Sequence, residues 1–333
     1  MSNVSNIAPL GNLNPTGGHI FPTDHIYLYL NKEDDTVTPV TTNVYAPGDI
    51  WITNISSIKH LSADPIYTDY NISFSPCTEV DGLFGHVISI TEKLKDAYNA
   101  GIGECQTDWV GEQKYKFCSK NISVFIPKGT KIGTAGGQIG QNALDFTLSD
   151  TQAKALEYIN PDHWGDFRLH YVCPLDYFGS TKKAKMQTLL GRINNWREIK
   201  PVCGRVEYDV PERAQGAWFE KGTTGQTWDE DNQLALVPDN YYPEQLVFSV
   251  GQSLSEVGLE VGAYYFNPQG SGLVNRKFSE VKNNGKIYCY EAGNEVILIK
   301  LKNKVTLRIG TTDLPSCGSG PWSFNGNYKD FER

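Results

Sequence analysis

The chain has 333 residues, 39% of them apolar and 20% charged, with a net charge of −8. That balance allows a packed core, makes disorder not the default expectation, and argues against the basic footprint of a nucleic-acid-binding surface. No segment approaches the roughly 20 consecutive apolar residues of a membrane span, and the start MSNVSNIAPLGNLNP lacks the basic and apolar regions of a signal peptide.

Taken in chain order, residues 1–17 read as an irregular lead-in. IYLYL, TTNVYA, DIWITNIS and YNISFSP follow as short β-branched or aromatic runs separated by Gly, Pro, Asn and Asp, the pattern of strands and turns. Between Ile88 and Ala100, apolar residues fall at Ile90, Leu94 and Tyr98, a spacing of four that predicts a helix. NISVFIPKGTKIGTAGG reads as strand, turn, strand; ALDFTLSD is a further strand, and TQAKALEYI a short helix. Residues 181–200, within TKKAKMQTLLGRINNWREIKP, are basic and free of strand pattern, which marks a linker. Beyond it GAWFEKG, QLALVPD, LVFSVG, GAYYFNP, KIYCYEAG, VILIKL and VTLRIG are successive short strands, the spacing of a sandwich or barrel. The expected organisation is mainly β: an N-terminal antiparallel domain with short helices over 1–180, a linker over 181–200, and an all-β accessory domain over 201–333.

The seven cysteines are widely spaced and form no CxxC or other zinc pattern, which suits disulfides in an oxidising compartment. Cys105 and Cys118 flank a short polar loop and are the best local pair; Cys173 with Cys203 and Cys289 with Cys317 follow, leaving Cys77 over. The sequons at Asn3, Asn54, Asn71 and Asn121 are compatible with export. Together these favour a secreted or cell-surface protein whose signal peptide lies outside this sequence over an intracellular one.

The chemistry-bearing residues fall in an ordered series: GHIFPTDHIYLYL, VYAPGDIWITNI, FGHVISI, FIPKGTKIGTAGG, ALDFTL and YINPDHW. Over Leu10–Trp164 this series resembles the lysostaphin-type metallopeptidase domain. That family has an HxxxD motif leading into a strand, a hairpin, an aromatic-Gly-His strand, a Gly-rich turn, an HxH strand and a P-x-x-Y/W tail. The resemblance implies an antiparallel β domain that binds zinc and cuts amide bonds in a polymeric peptide or glycan. Carried over position by position, it implies metal ligation by His19, Asp24 and Asp145, and His86 as the catalytic proton carrier or oxyanion stabiliser. Two departures stand out. His19 to Asp24 is one residue longer than the family spacing, and HxH has become Ala143-Leu144-Asp145. One histidine and two aspartates make a harder site, open to divalent metals other than zinc.

Each residue also has a plain structural role to weigh. Asp and His before a strand cap turns, and a His after Gly is often half-buried and satisfied. Asp145 sits between Leu144 and Phe146, which alternation places on the other face, so a buried carboxylate there needs a partner. His25 is an additional candidate ligand, and His163 and His170 could approach from the tail. GTAGGQIGQ lacks the Lys-Ser/Thr ending of a phosphate loop, and WDEDN lacks the Gly and Glu of an EF-hand. Exposed aromatics in GAYYFNP or GPWSF could stack on sugars, though such residues more often fill a β core. The expected function is a metal-dependent hydrolase of amide, less readily ester, bonds. The competing readings are a non-catalytic relative that binds a glycan, peptide or partner protein in the same groove, and a structural surface protein.

Overall fold

Alternation along two strands decides which side of the first unit is apolar. Leu28 and Leu30 alternate with Tyr27 and Tyr29, and Leu144 and Phe146 flank Asp145, so each strand offers one apolar and one polar-aromatic face. The protein is seen in a computed structural model, which describes residues 3–30, 39–110, 113–137, 142–227 and 230–333. The end of GTAGGQIGQ and the start of WDEDN lie outside the described residues.

The fold is mainly β, and the chain forms two compact units. The first comprises residues 1–8, 25–154 and 170–198, and the second 9–24, 155–169 and 199–333. The main change of unit falls at 198/199, at the end of the basic stretch, but residues 9–24 and 155–169 also belong to the second unit. The basic stretch is built into the first unit as a helix, Ser180–Gln187, and a small hairpin. TQAKALEYI, expected to be a short helix, is not helical: Ala153 closes a turn on Asp150, and Asp150 Oδ1 accepts from the amide of Gln152. Helical periodicity over so few residues yields to local Asp–backbone bonding.

The first unit's strands are β1 (Asn6–Ala8), β2 (His25–Tyr29), β3 (Thr41–Tyr45), β4 (Ile50–His60), β5 (Tyr67–Ser75), β6 (Val80–Ile90), β7 (Ile102–Val110), β8 (Gln113–Ile126), β9 (Lys131–Gly136), β10 (Ala143–Asp150) and β11 (Tyr171–Val172). They form one sheet in the order β1-β2-β10-β6-β5-β4-β8-β7, with β11 on β10 and β9 between β3 and β6. All these ladders are antiparallel. Helix α1 (Glu92–Ala100) begins four residues later than the periodicity suggests, because Ile88–Ile90 completes β6.

Phe146 pairs with Phe84 across the β10–β6 ladder, and Phe84 with Ile72 across β6–β5. The rings of Phe74, Phe84 and Phe146 pack with centroids 4.9 and 4.8 Å apart along the series. Each buried Phe contributes about 2–3 kcal/mol of transfer free energy. The Phe74 ring lies over Gly82, where an added Cβ would sit 2.2 Å from it, so this position requires glycine.

After a hairpin of β12 (Gly191–Arg192) and β13 (Asn195–Trp196), the second unit holds β14 (Gly216–Glu220), β15 (Gln233–Pro238), β16 (Leu246–Val250), β17 (Gly262–Phe266), β18 (Tyr288–Ala292), β19 (Glu295–Leu301), β20 (Thr306–Thr311) and β21 (Lys329–Glu332). The order β17-β16-β15-β14-β21-β20-β19-β18 brings β17 back beside β18, a nearly closed barrel. Phe248, Phe266, Phe278 and Tyr290 fill its interior edge to face. Arg333 stacks its guanidinium 4.1 Å from the Trp218 ring centre, and burial pulls its pKa down to about 10. GAYYF thus forms a strand of this barrel, with Phe266 in the core.

Cys105–Cys118 and Cys289–Cys317 are disulfides, and Cys173 and Cys203 are also disulfide-bonded, leaving Cys77 as an exposed free thiol. Cys105 faces Cys118 directly across the β7–β8 ladder. Among the described residues no helix is long and apolar enough to cross a membrane.

Candidate functional site

Five alternating imidazoles and carboxylates run across one face of the first unit's sheet. Asp69, on β5, is almost wholly buried and accepts from both neighbours: His60 Nε2 lies 3.1 Å from its Oδ1 and His86 Nδ1 2.8 Å from its Oδ2. His86 Nε2 then lies 3.4 Å from Asp145 Oδ2, and His25 Nε2 lies 3.6 Å from the same oxygen. The row therefore reads His60–Asp69–His86–Asp145–His25 and crosses β4, β5, β6, β10 and β2.

Local structure explains how these side chains meet. The β4–β5 hairpin pairs His60 with Tyr67 and Ile58 with Asp69, so His60 and Asp69 are diagonal neighbours. The β10–β2 register pairs Asp145 with Tyr27 and Thr147 with His25, which again places the two site residues on a diagonal. His86 sits at the irregularity of the β6–β5 ladder, between Phe84 and Val87, and takes φ +58°, rare for a side chain other than glycine or asparagine. That twist aims its ring between the two carboxylates. Gly85, opposite Asp145, keeps the space beside the carboxylate open; a Cβ there would lie 3.2 Å from Oδ2.

Electrostatics follow from this packing. Burial alone would favour neutral His86, but the Asp145 charge and the Asp69 hydrogen bond outweigh it and raise its pKa to about 9. Burial would raise Asp69 too, yet its hydrogen bonds to His60 and His86 lower it to about 2. At neutral pH the His86–Asp69 pair is ionic.

Tyrosines extend the row at both ends. Tyr27 packs edge-on against His25 at 4.6 Å and stacks with Tyr29 at 6.1 Å. At the other end Tyr67 stacks on His60 at 4.0 Å, with Tyr115 edge-on at 5.1 Å. All four tyrosines are partly exposed. The face is a polar strip with an aromatic patch at each end.

Of the residues singled out in the sequence, the structure brings together His86, Asp145 and His25. His19 and Asp24 belong to the second unit, where the His19 backbone pairs with Asn14. His163 is also in the second unit, its Nδ1 2.8 Å from the Gly225 carbonyl and its ring stacked on Phe219. His170 Nδ1 lies 3.0 Å from the Ala153 carbonyl and so serves the turn after β10. Asp69 and His60 were not singled out. Plain alternation groups Asp69 with Asn71, Ser73 and Ser75, and only the hairpin register reveals its partner.

Ligand atoms around tetrahedral zinc lie about 3.3 Å apart, close to the two contacts at Asp145 Oδ2. The donors themselves do not fit a metal in this arrangement. His86 has both ring nitrogens turned to carboxylates and holds its proton to about pH 9, which leaves no lone pair for a cation. Asp69 is taken up by two histidines. Among the described residues no group of three or more His, Cys, Asp or Glu could hold a metal ion. Comparison with known proteins finds no matching family model, no matching curated protein and no matching solved structure.

Proposed function

We propose that this is a non-catalytic, secreted or surface-located binding protein, built on a lysostaphin-like sheet, that holds a polymeric peptide or glycan along the tyrosine-flanked strip. The observation that carries this is the pairing of His86 with a carboxylate on each side, a hydrogen bond to Asp69 and a close approach to Asp145. An imidazolium held between two carboxylates is a poor general base and a poor ligand, but a rigid strut that fixes five strands beneath a binding face. Partly exposed tyrosines at both ends supply stacking surface with little conformational entropy to lose. The disulfides and the export-compatible sequons support an oxidising environment.

One observation favours a second reading, the metal-dependent amide hydrolase. Asp145 Oδ1 is buried with no hydrogen-bond partner, the kind of atom a cation would satisfy. The two readings separate in one experiment. The protein is incubated with cross-linked peptidoglycan, chitin and cellulose, with zinc or with chelator, and both pelleted protein and released amines are measured. Pelleting with at least one polymer, weakened by Tyr27→Ala with Tyr67→Ala and without amine release, supports binding. Zinc-dependent amine release that Asp145→Ala abolishes replaces it with the hydrolase.

A further inference from the structure

The opposite face of the same sheet carries a cavity of about 290 Å³. Leu28 of β2 and Leu30 just after it, Leu144 and Phe146 of β10, Phe84 of β6 and Phe178 line it. A space of this size exceeds ordinary packing defects and lies at the lower edge of small-ligand sites, which start at about 300 Å³. The polar side chains at its rim already satisfy one another: Asn3 Nδ2 donates to Thr42 Oγ1 and Asn43 Nδ2 to Tyr45 Oη. Two cations remain at the mouth, Lys128 and Lys182. Lys182 Nζ rests 5.4 Å from the Phe178 ring centre. Neighbouring Lys183 is paired with Asp176, whereas neither Lys128 nor Lys182 pairs with a carboxylate among the described residues, and no carboxylate lines the cavity. Two ammonium groups with no carboxylate partner among the described residues, at one apolar opening, are notable on a chain of net charge −8.

We propose that this cavity binds a medium-chain fatty carboxylate, its chain against the Leu and Phe side chains and its head group at Lys128 and Lys182. The volume corresponds to about ten water-sized groups, which suits a single chain of roughly eight to twelve carbons and excludes a two-chain lipid. Charge complementarity selects the carboxylate over an alcohol or a quaternary ammonium of equal length. The site lies on the face away from the His/Asp row and does not depend on what that row binds.

The test is calorimetric titration of the whole protein with decanoate, decanol and decyltrimethylammonium, each below its micelle concentration. Decanoate is expected to bind one per chain, and Lys128→Gln with Lys182→Gln to weaken it roughly tenfold, the scale of two exposed ion pairs, while leaving decanol unchanged. Both lysines are exposed, so the variant's melting temperature should match the parent's. Absent or unsaturable decanoate binding would overturn the proposal. So would equal affinity for decyltrimethylammonium, or indifference to the lysine changes. Lysine-dependent binding to anionic-lipid vesicles with no uptake of free decanoate would overturn it too and assign the face to a membrane surface.

Discussion

His86 Nδ1 lies 2.8 Å from Asp69 Oδ2, and that contact joins a residue of unusual backbone conformation to the most deeply buried carboxylate of the row. The two groups titrate in opposite directions, which defines a pH window. Raised to about 9, His86 contributes stability that is complete below its ordinary value near 6.5 and is lost as pH rises through about 9. Lowered to about 2, Asp69 contributes stability that is present above its ordinary value of 3.8 and is lost as pH falls toward 2. Denaturant melts of the first unit from pH 3 to pH 10 should show a plateau between roughly pH 4 and 6.5. In His86→Gln the alkaline decline should vanish; an unchanged decline would assign it elsewhere.

Asp69→Asn should cost about 3 kcal/mol, because it leaves His86 charged beside a neutral amide in a buried setting. Asp145→Asn should cost less, about 1–2 kcal/mol, since one oxygen makes no hydrogen bond to lose. Urea midpoints at pH 6 check the order. A costlier Asp145→Asn would mean that its carboxylate holds more of the row together than the geometry gives it.

Gly82→Ala should destabilise the first unit by about 1–3 kcal/mol, because the new methyl would strike the Phe74 ring. The double variant Gly82→Ala with Phe74→Leu should recover part of that loss in the same melts. Additive losses would show that the ring is not the obstacle.

Peptide mapping without reduction should find Cys105 joined to Cys118 and Cys289 to Cys317, with Cys77 alkylated in the folded protein. Replacing Cys289 and Cys317 together by Ala should cost about 3 kcal/mol of the second unit's stability. A native protein in which Cys77 resists alkylation would contradict its exposure.

Much of the fold was legible because strand periodicity is local. The IYLYL and ALDFTL runs became β2 and β10, and their alternation correctly separated Asp145 from Leu144 and Phe146. The row was only half legible. His86 and Asp145 could be singled out because each sits in an otherwise apolar strand, and their meeting depends on the β10–β6 register and on the irregularity at His86. Asp69 stayed hidden because its strand slips register after Tyr70, which breaks the alternation that would have flagged it. The unit boundaries at 8/9, 24/25, 154/155 and 169/170 were not legible, since returning segments leave no change of composition to mark them.

The most direct test of the central claim, that His86 is held between the Asp69 and Asp145 carboxylates rather than beside a metal, is metal analysis of tag-free protein dialysed against zinc. Binding well below one metal per chain, unchanged in Asp145→Ala, is the result the account predicts. One tightly held metal per chain, lost in Asp145→Ala and with it the elevated His86 pKa in an NMR titration, would contradict it.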